Sequence, residues 1–130
     1  MTIEYKAEFE VKKEAIDNLG HVNNVMYLQW VQDISQRHWE HQVSPELRKD
    51  IFWVVLSHLI EYKRPAFEGD ILELKTWVER MEGVKSLRRV EIRRKGEEKL
   101  LVKSETVWCL MDAKTNRPKR ISPELTDLFE

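Results

Sequence analysis

Side chains able to do covalent or acid–base chemistry concentrate in one stretch of this sequence, Asp17-Asn18-Leu19-Gly20-His21-Val22-Asn23-Asn24-Val25-Met26-Tyr27. A carboxylate here lies just ahead of an expected helix start. The free N–H groups of such a start form the positive end of the helix dipole. A carboxylate beside that end joins a base or nucleophile to an oxyanion site, the two components acyl transfer needs. The same residues also have a structural reading: Asp17 as a turn aspartate, His21 as loop packing, and Asn23 or Asn24 as a helix cap.

The other reactive side chains point to simpler roles. There is no Gly-x-Ser-x-Gly elbow, phosphate loop, His-Glu-x-x-His or dinucleotide fingerprint. His38 and His41 fall three apart on the helix with no Cys or third His nearby, so polar helix surface is expected there and no metal site. Cys109, the one cysteine, reads as a small buried hydrophobe in a strand. His58 reads as a hydrogen-bonded interior residue.

The elements that must position the stretch follow from periodicity. Residues 3–11 alternate as a strand, with Ile3, Tyr5, Ala7, Phe9 and Val11 on one parity. Asp17 to Gly20 fits a type I turn. From about Asn24 to His41, Tyr27, Trp30, Val31, Ile34 and His38 form one stripe of a helix. Its first half, apolar nearly all round (Val25, Met26, Tyr27, Leu28), is expected to be deeply buried. Four strands follow, over 51–63, from about Leu72 to Glu79, over 85–95 and over 99–111. Leu87 sits on the opposite parity to Val90 and Ile92, which predicts a bulge near Arg88-Arg89. Asn116-Arg117-Pro118 marks a turn, and Ser122-Pro123-Glu124-Leu125 opens a short closing helix. Strand, long helix, then four strands in meander make a two-layer α+β domain over residues 1–130, its antiparallel sheet of about five strands curled round the helix. Open sheet edges favour pairing with a second copy.

The segment Asp-x-x-Gly-His-Val-Asn-Asn-x-x-Tyr, from Asp17 to Tyr27, resembles the active-site segment of hot-dog-fold thioesterases of the 4-hydroxybenzoyl-CoA thioesterase family. Glu61 to Asp70 resembles that family's strand and turn after the helix, and Gly83-Val84-Lys85-Ser86 the turn opening its next strand. The resemblance implies a helix wrapped by a bent antiparallel sheet, dimers or dimers of dimers, and acyl-CoA hydrolysed near the subunit interface without a cofactor. It implies Asp17 as the catalytic carboxylate, with His21 and Asn23 beside it, and backbone N–H groups of Asn24 and Val25 as oxyanion donors. Many members carry a second Asp two residues before the catalytic one; here that position is Ala15. The His-Val-Asn-Asn version also occurs in thioesterases acting on acyl carrier protein, so the carrier stays open.

Coenzyme A would need cations near a pocket mouth. Between Lys85 and Lys103 eight basic residues face three acidic ones. Lys85, Ser86, Arg88 and Arg89 are the candidates, with Arg117 and Arg120 behind them; a solvated strand face is the alternative. Met26, Trp30, Trp53 and Leu56 are candidates for an acyl tunnel or for core. Lys and Arg number 22 against 23 Asp and Glu, a net charge of −1, which argues against nucleic acid and acidic membranes as partners. Residues Met1 to Lys6 lack a signal-peptide core, and no run approaches the roughly 18 apolar residues of a membrane span. The expected location is the cytoplasm. A non-catalytic acyl-thioester-binding module is the main rival. A hot-dog dehydratase would need a His followed closely by Phe-Pro, which is missing.

Overall fold

The computed structural model describes residues 2–130; Met1, which opens the N-terminal stretch considered above, lies outside them. Strand β1 (Tyr5–Glu10) leads through a single 3-10 turn at Lys13–Ala15 to the long helix α1 (Asn24–Gln42) and the short α2 (Pro45–Arg48). Then come β2 (Ile51–Tyr62), β3 (Ile71–Glu82), β4 (Lys85–Arg94), β5 (Leu100–Asp112), the two-residue β6 (Arg117–Pro118) and α3 (Pro123–Asp127). Ser122 caps α3 by accepting the Leu125 N–H. Among the described residues no helix is long and apolar enough to cross a membrane.

The strands form one antiparallel sheet in the order β1-β3-β4-β5-β2, with β6 against β5. The expected four-strand meander therefore holds only for β3-β4-β5. β2 pairs with β5 at one edge, so residues 63–70 must carry the chain across to β3. Ala66 makes that crossing a buried anchor in place of a hairpin turn. Its N–H donates to the Tyr27 hydroxyl at 3.1 Å, and its carbonyl accepts the Val22 N–H at 2.9 Å. Arg94 tightens the same segment through Asp70 and the Pro65 carbonyl.

The stripe read from the sequence faces the sheet. Tyr27, Val31 and Ile34 are buried against Leu72, Leu74, Val90, Ile92 and Val102. Each such side chain contributes about 1.5–3 kcal/mol by leaving water. The start of α1 is not deeply buried as expected: Tyr27 is 2% exposed but Val25 is 68%. Val25 lies two residues before Tyr27, about 200° round the helix, and so points away from the sheet.

The bulge expected near Arg88-Arg89 lies across the ladder, on β3. Val78 pairs with Arg88 and Arg80 with Leu87, leaving Glu79 as the extra residue. A second irregularity leaves Leu56 unpaired on β2. β4 itself alternates regularly, with Ser86, Arg88, Val90 and Ile92 all buried. The parity break in the sequence has a simple cause. Two polar residues, Ser86 and Arg88, occupy inward positions.

Candidate active site

Asp17 sits in a short loop closed at its base by an isolated bridge between Ile16 and Val22. Its N–H donates to the His21 carbonyl at 2.8 Å, and the Gly20 N–H donates back to the Asp17 carbonyl at 3.2 Å. Gly20 takes φ +83°, a left-handed conformation that a side chain would strain. The Asp17 carboxylate is half-buried. Oδ1 accepts the N–H groups of Leu19 (2.9 Å) and His21 (3.2 Å), whereas Oδ2 has no hydrogen-bond partner among the described residues. One oxygen is thus fixed by the backbone and the other is left over. Ala15, where many relatives of the resembled family carry Asp, is buried, and its carbonyl accepts the Asn23 N–H.

Asn23 caps α1: its Oδ1 accepts the Val25 N–H at 3.0 Å. The two expected oxyanion donors therefore differ. The Val25 N–H is already engaged by the cap, while the Asn24 N–H has no acceptor among the described residues. The His21 ring meets the Phe67 ring edge-on at 5.5 Å, joining the Asp17 loop to the crossing segment. Tyr27 completes that joint, and burial raises its hydroxyl pKa. The stretch from Asp17 to Tyr27 is thus one local unit.

The basic candidates are brought together only in part: the 117–121 segment runs beside the 83–85 turn, and the rest separate. Lys85, Arg117 and Arg120 are exposed, while Arg89 pairs with Glu79 and Glu105. Ser86 and Arg88 are 4% and 6% exposed and face the interior, so neither can sit at a surface mouth. Alternation along β4 sends neighbouring residues to opposite faces, which splits the set. The tunnel candidates also separate. Met26 and Trp30 pack on the core beside Val31, whereas Leu56 is exposed at its bulge.

Trp53 lines a cavity of about 470 Å³ between α1 and strands β2, β3, β4 and β5, together with Trp39, Met81, Trp108 and Phe129. Ser86 and Arg88 are in its wall. The Arg88 Nη1 donates to His38 Nδ1 at 2.9 Å and to the Thr76 hydroxyl at 3.0 Å. His38 is fully buried, contrary to the polar-surface reading, because its place on the helix stripe faces the sheet. Burial and the neighbouring Arg88 lower its pKa to about 4, so it is neutral at pH 7. Burial lowers Arg88 to about 10, which leaves it charged. Sequence reasoning missed this group. The one signal was an arginine on the inward parity of an apolar strand. His58, half-buried, bonds the Thr106 hydroxyl through Nδ1, and Cys109 is buried.

The model of the acyl-ACP thioesterase N-terminal domain matches residues 2–129. A chloroplastic acyl-[acyl-carrier-protein] hydrolase of Cuphea viscosissima is 33% identical over 86 residues, covering 63% of this chain and 20% of its own length. The chain spans about a fifth of the length of the plant relatives it matches. The long-chain acyl-CoA thioesterase FadM of Escherichia coli is 23% identical over 127 residues, 96% of each chain. A solved structure of a 4-hydroxybenzoyl-CoA thioesterase mutant complexed with 4-hydroxybenzoyl-CoA superposes with a TM-score of 0.86 at 14% identity, covering 98% of this chain and 99% of that one. The curled sheet round a single long helix is thus the hot-dog fold. With a family match running over nearly its full length, this chain belongs to the acyl-ACP thioesterase N-terminal domain family.

Proposed function

We propose that this protein hydrolyses acyl thioesters, taking acyl-CoA to the free acid and coenzyme A, with Asp17 as catalytic carboxylate and the start of α1 as oxyanion site. One observation carries the reading. Among the described residues, Asp17 has one oxygen fixed by two backbone N–H groups and one without a partner, just ahead of a helix whose Asn24 N–H has no acceptor.

The chemistry asks little more of the protein. A thiolate leaves readily because its conjugate acid has a pKa near 8.5, so no strong general acid is required. Asp17 can attack the carbonyl carbon, expel the thiolate and form an anhydride that water then opens. It can equally take a proton from the attacking water. Both routes place negative charge on the carbonyl oxygen, where the Asn24 N–H and the helix dipole act. The Val25 N–H joins only if the Asn23 cap yields. His21 and Asn23 hold the loop and the helix start in place. Lys85, Arg117 and Arg120 are the free cations for coenzyme A; Ile121 N–H to Gly83 carbonyl and Leu110 N–H to Val84 carbonyl bring their segments to one end of the sheet.

A second copy fits the edge of β2. Among the described residues that strand pairs only with β5, and Phe52, Leu56, Leu59 and Tyr62 along it are exposed. Leu19, Val25 and Phe67, around the Asp17 loop, are exposed as well. Antiparallel pairing of two β2 strands about Leu56 would cover this apolar surface and set residues 51–55 of one copy beside 57–61 of the other. The cavity of one protomer would then adjoin the Asp17 loop of its partner. Acyl carrier protein is the second reading for the carrier, favoured by the family match.

The test follows free thiol released from short, medium, long and aromatic acyl-CoAs and from the matching acyl carrier protein thioesters. Turnover on either carrier supports hydrolysis, and the better carrier decides between them. No turnover on any thioester leaves the non-catalytic binding module.

A further inference from the structure

The cavity beside Arg88 holds a positive charge with no ionic partner among the described residues. Arg88 forms no ion pair among the described residues, and none of the residues lining the cavity is acidic. Its two hydrogen bonds both leave from Nη1 and end on neutral groups, His38 and Thr76. Nε and Nη2 donate to nothing among the described residues. The Trp108 Nε1, in the same wall, is buried and also without an acceptor. A buried unmet donor such as Trp108 Nε1 is costly, and a largely buried charge such as Arg88 normally has a partner or a role. The rest of the wall is aromatic and aliphatic apart from the neutral side chains of Gln32, Ser35, Gln36 and Ser86. Such a pocket suits a chain that is apolar along its length and anionic at its tip.

We propose that the cavity is the acyl subsite, and that it selects acyl groups bearing a carboxylate at the end remote from the thioester, held by Arg88 with Trp108 Nε1 as a second donor. The proposal rests on the thioesterase reading and on the β2 pairing above. Gln32 and Trp39, which line the cavity from α1, lie about 12 and 22 Å along the helix from its start. Within one protomer Val31, Ile34, Val90 and Ile92 fill the interior between the helix start and the cavity. The acyl chain would therefore enter from the partner's Asp17 loop across the paired β2 strands. A polyanionic diphosphate does not fit this wall, which offers one cation among uncharged side chains. This is why Arg88 is assigned to the acyl group and not to coenzyme A.

The test uses pantetheine thioethers, which cannot be hydrolysed and carry the part shared by coenzyme A and carrier protein. Two series of equal chain lengths, one ending in a carboxylate and one in a methyl, are titrated calorimetrically into the wild type, Arg88→Met and Arg88→Lys. The expected result is a carboxylate preference of roughly 10- to 100-fold in the wild type, as for a hydrogen bond to a charged group. Arg88→Met should lose the preference and Arg88→Lys retain part of it. Equal binding of the two series by the wild type, or binding of neither, overturns the subsite, whatever the variants do. A wild-type preference that Arg88→Met keeps also overturns it. Preference in binding with no turnover of any thioester would uphold the subsite and remove the hydrolase reading. Turnover without preference would do the reverse.

Discussion

The two ends of α1 organise polar groups in opposite ways. At the first turn the hydrogen bonds to the Asp17 carboxylate and the Asn23 cap are local. Asp17 is held by Leu19 and His21, and Val25 by Asn23, all within four residues along the chain. Towards the other end the partners come from far away. His38 meets Arg88 fifty residues on, and Arg88 meets Thr76 from the neighbouring strand. Between them lies the packed apolar stretch around Val31 and Ile34. The local end is open to solvent at Asn23, Asn24 and Val25 and, among the described residues, keeps one carboxylate oxygen and one N–H unbonded. The remote end is buried and keeps a cation unpaired. Groups left unsatisfied at the surface cost little, because water reaches them; the same omission inside is expensive. The first arrangement suits reaction with an entering thioester, the second recognition of what the acyl group carries.

After the Asp17 carboxylate itself, the largest effect expected at the local end comes from Asn24→Pro. Proline is tolerated at the first helical position, and Asn23 already has the extended backbone that precedes a proline (φ −64°, ψ 134°). The substitution thus deletes one N–H and little else. Turnover should fall roughly 100- to 1000-fold at unchanged melting temperature, as for loss of an oxyanion donor. Full activity in this variant would move the oxyanion site away from Asn24.

Between the ends, Ile34→Ala should cost about 2–5 kcal/mol in denaturant unfolding. A smaller loss would mean that the packed stretch relaxes and does not separate the two regions.

The remote end should give itself away through pH. His38 has a folded pKa of about 4, below the usual 6.5, so the unfolded chain binds its proton more tightly. Stability from this residue is complete above about pH 6.5 and is lost as pH falls towards 4, by up to about 3 kcal/mol. Unfolding of wild type and His38→Asn across that window checks it, since Asn keeps an acceptor for Arg88 but does not titrate. Parallel curves would remove His38 from the acid response. The smallest effect is expected from Asn23→Ala, about 1 kcal/mol of stability through loss of the cap.

The same contrast explains what could be read from the sequence. The helix, its buried stripe, the strands and the Asp17-to-Tyr27 unit were legible because each depends on spacing along the chain. Strand order was not. β2 pairs with β5 because the crossing segment is anchored at Ala66 under the Tyr27 hydroxyl, a contact no periodicity encodes. The Arg88 group was hidden for the same reason. An inward arginine breaks the alternation of β4 in sequence exactly as a bulge would, and only the register on β3, with Glu79 as the extra residue, separates the two. The exposure of Val25 was misjudged from composition when its angle from Tyr27 already placed it outside.

The most direct measurement compares thiol release by the wild type and Asp17→Asn on the best thioester of the panel, at matched melting temperatures. Asn keeps an Oδ1 for the Leu19 and His21 N–H groups, so the loop should persist while the charge is removed. A fall of about 100- to 10,000-fold in turnover is expected for loss of the base or nucleophile. Turnover within a few-fold of the wild type would contradict the assignment of the chemistry to Asp17.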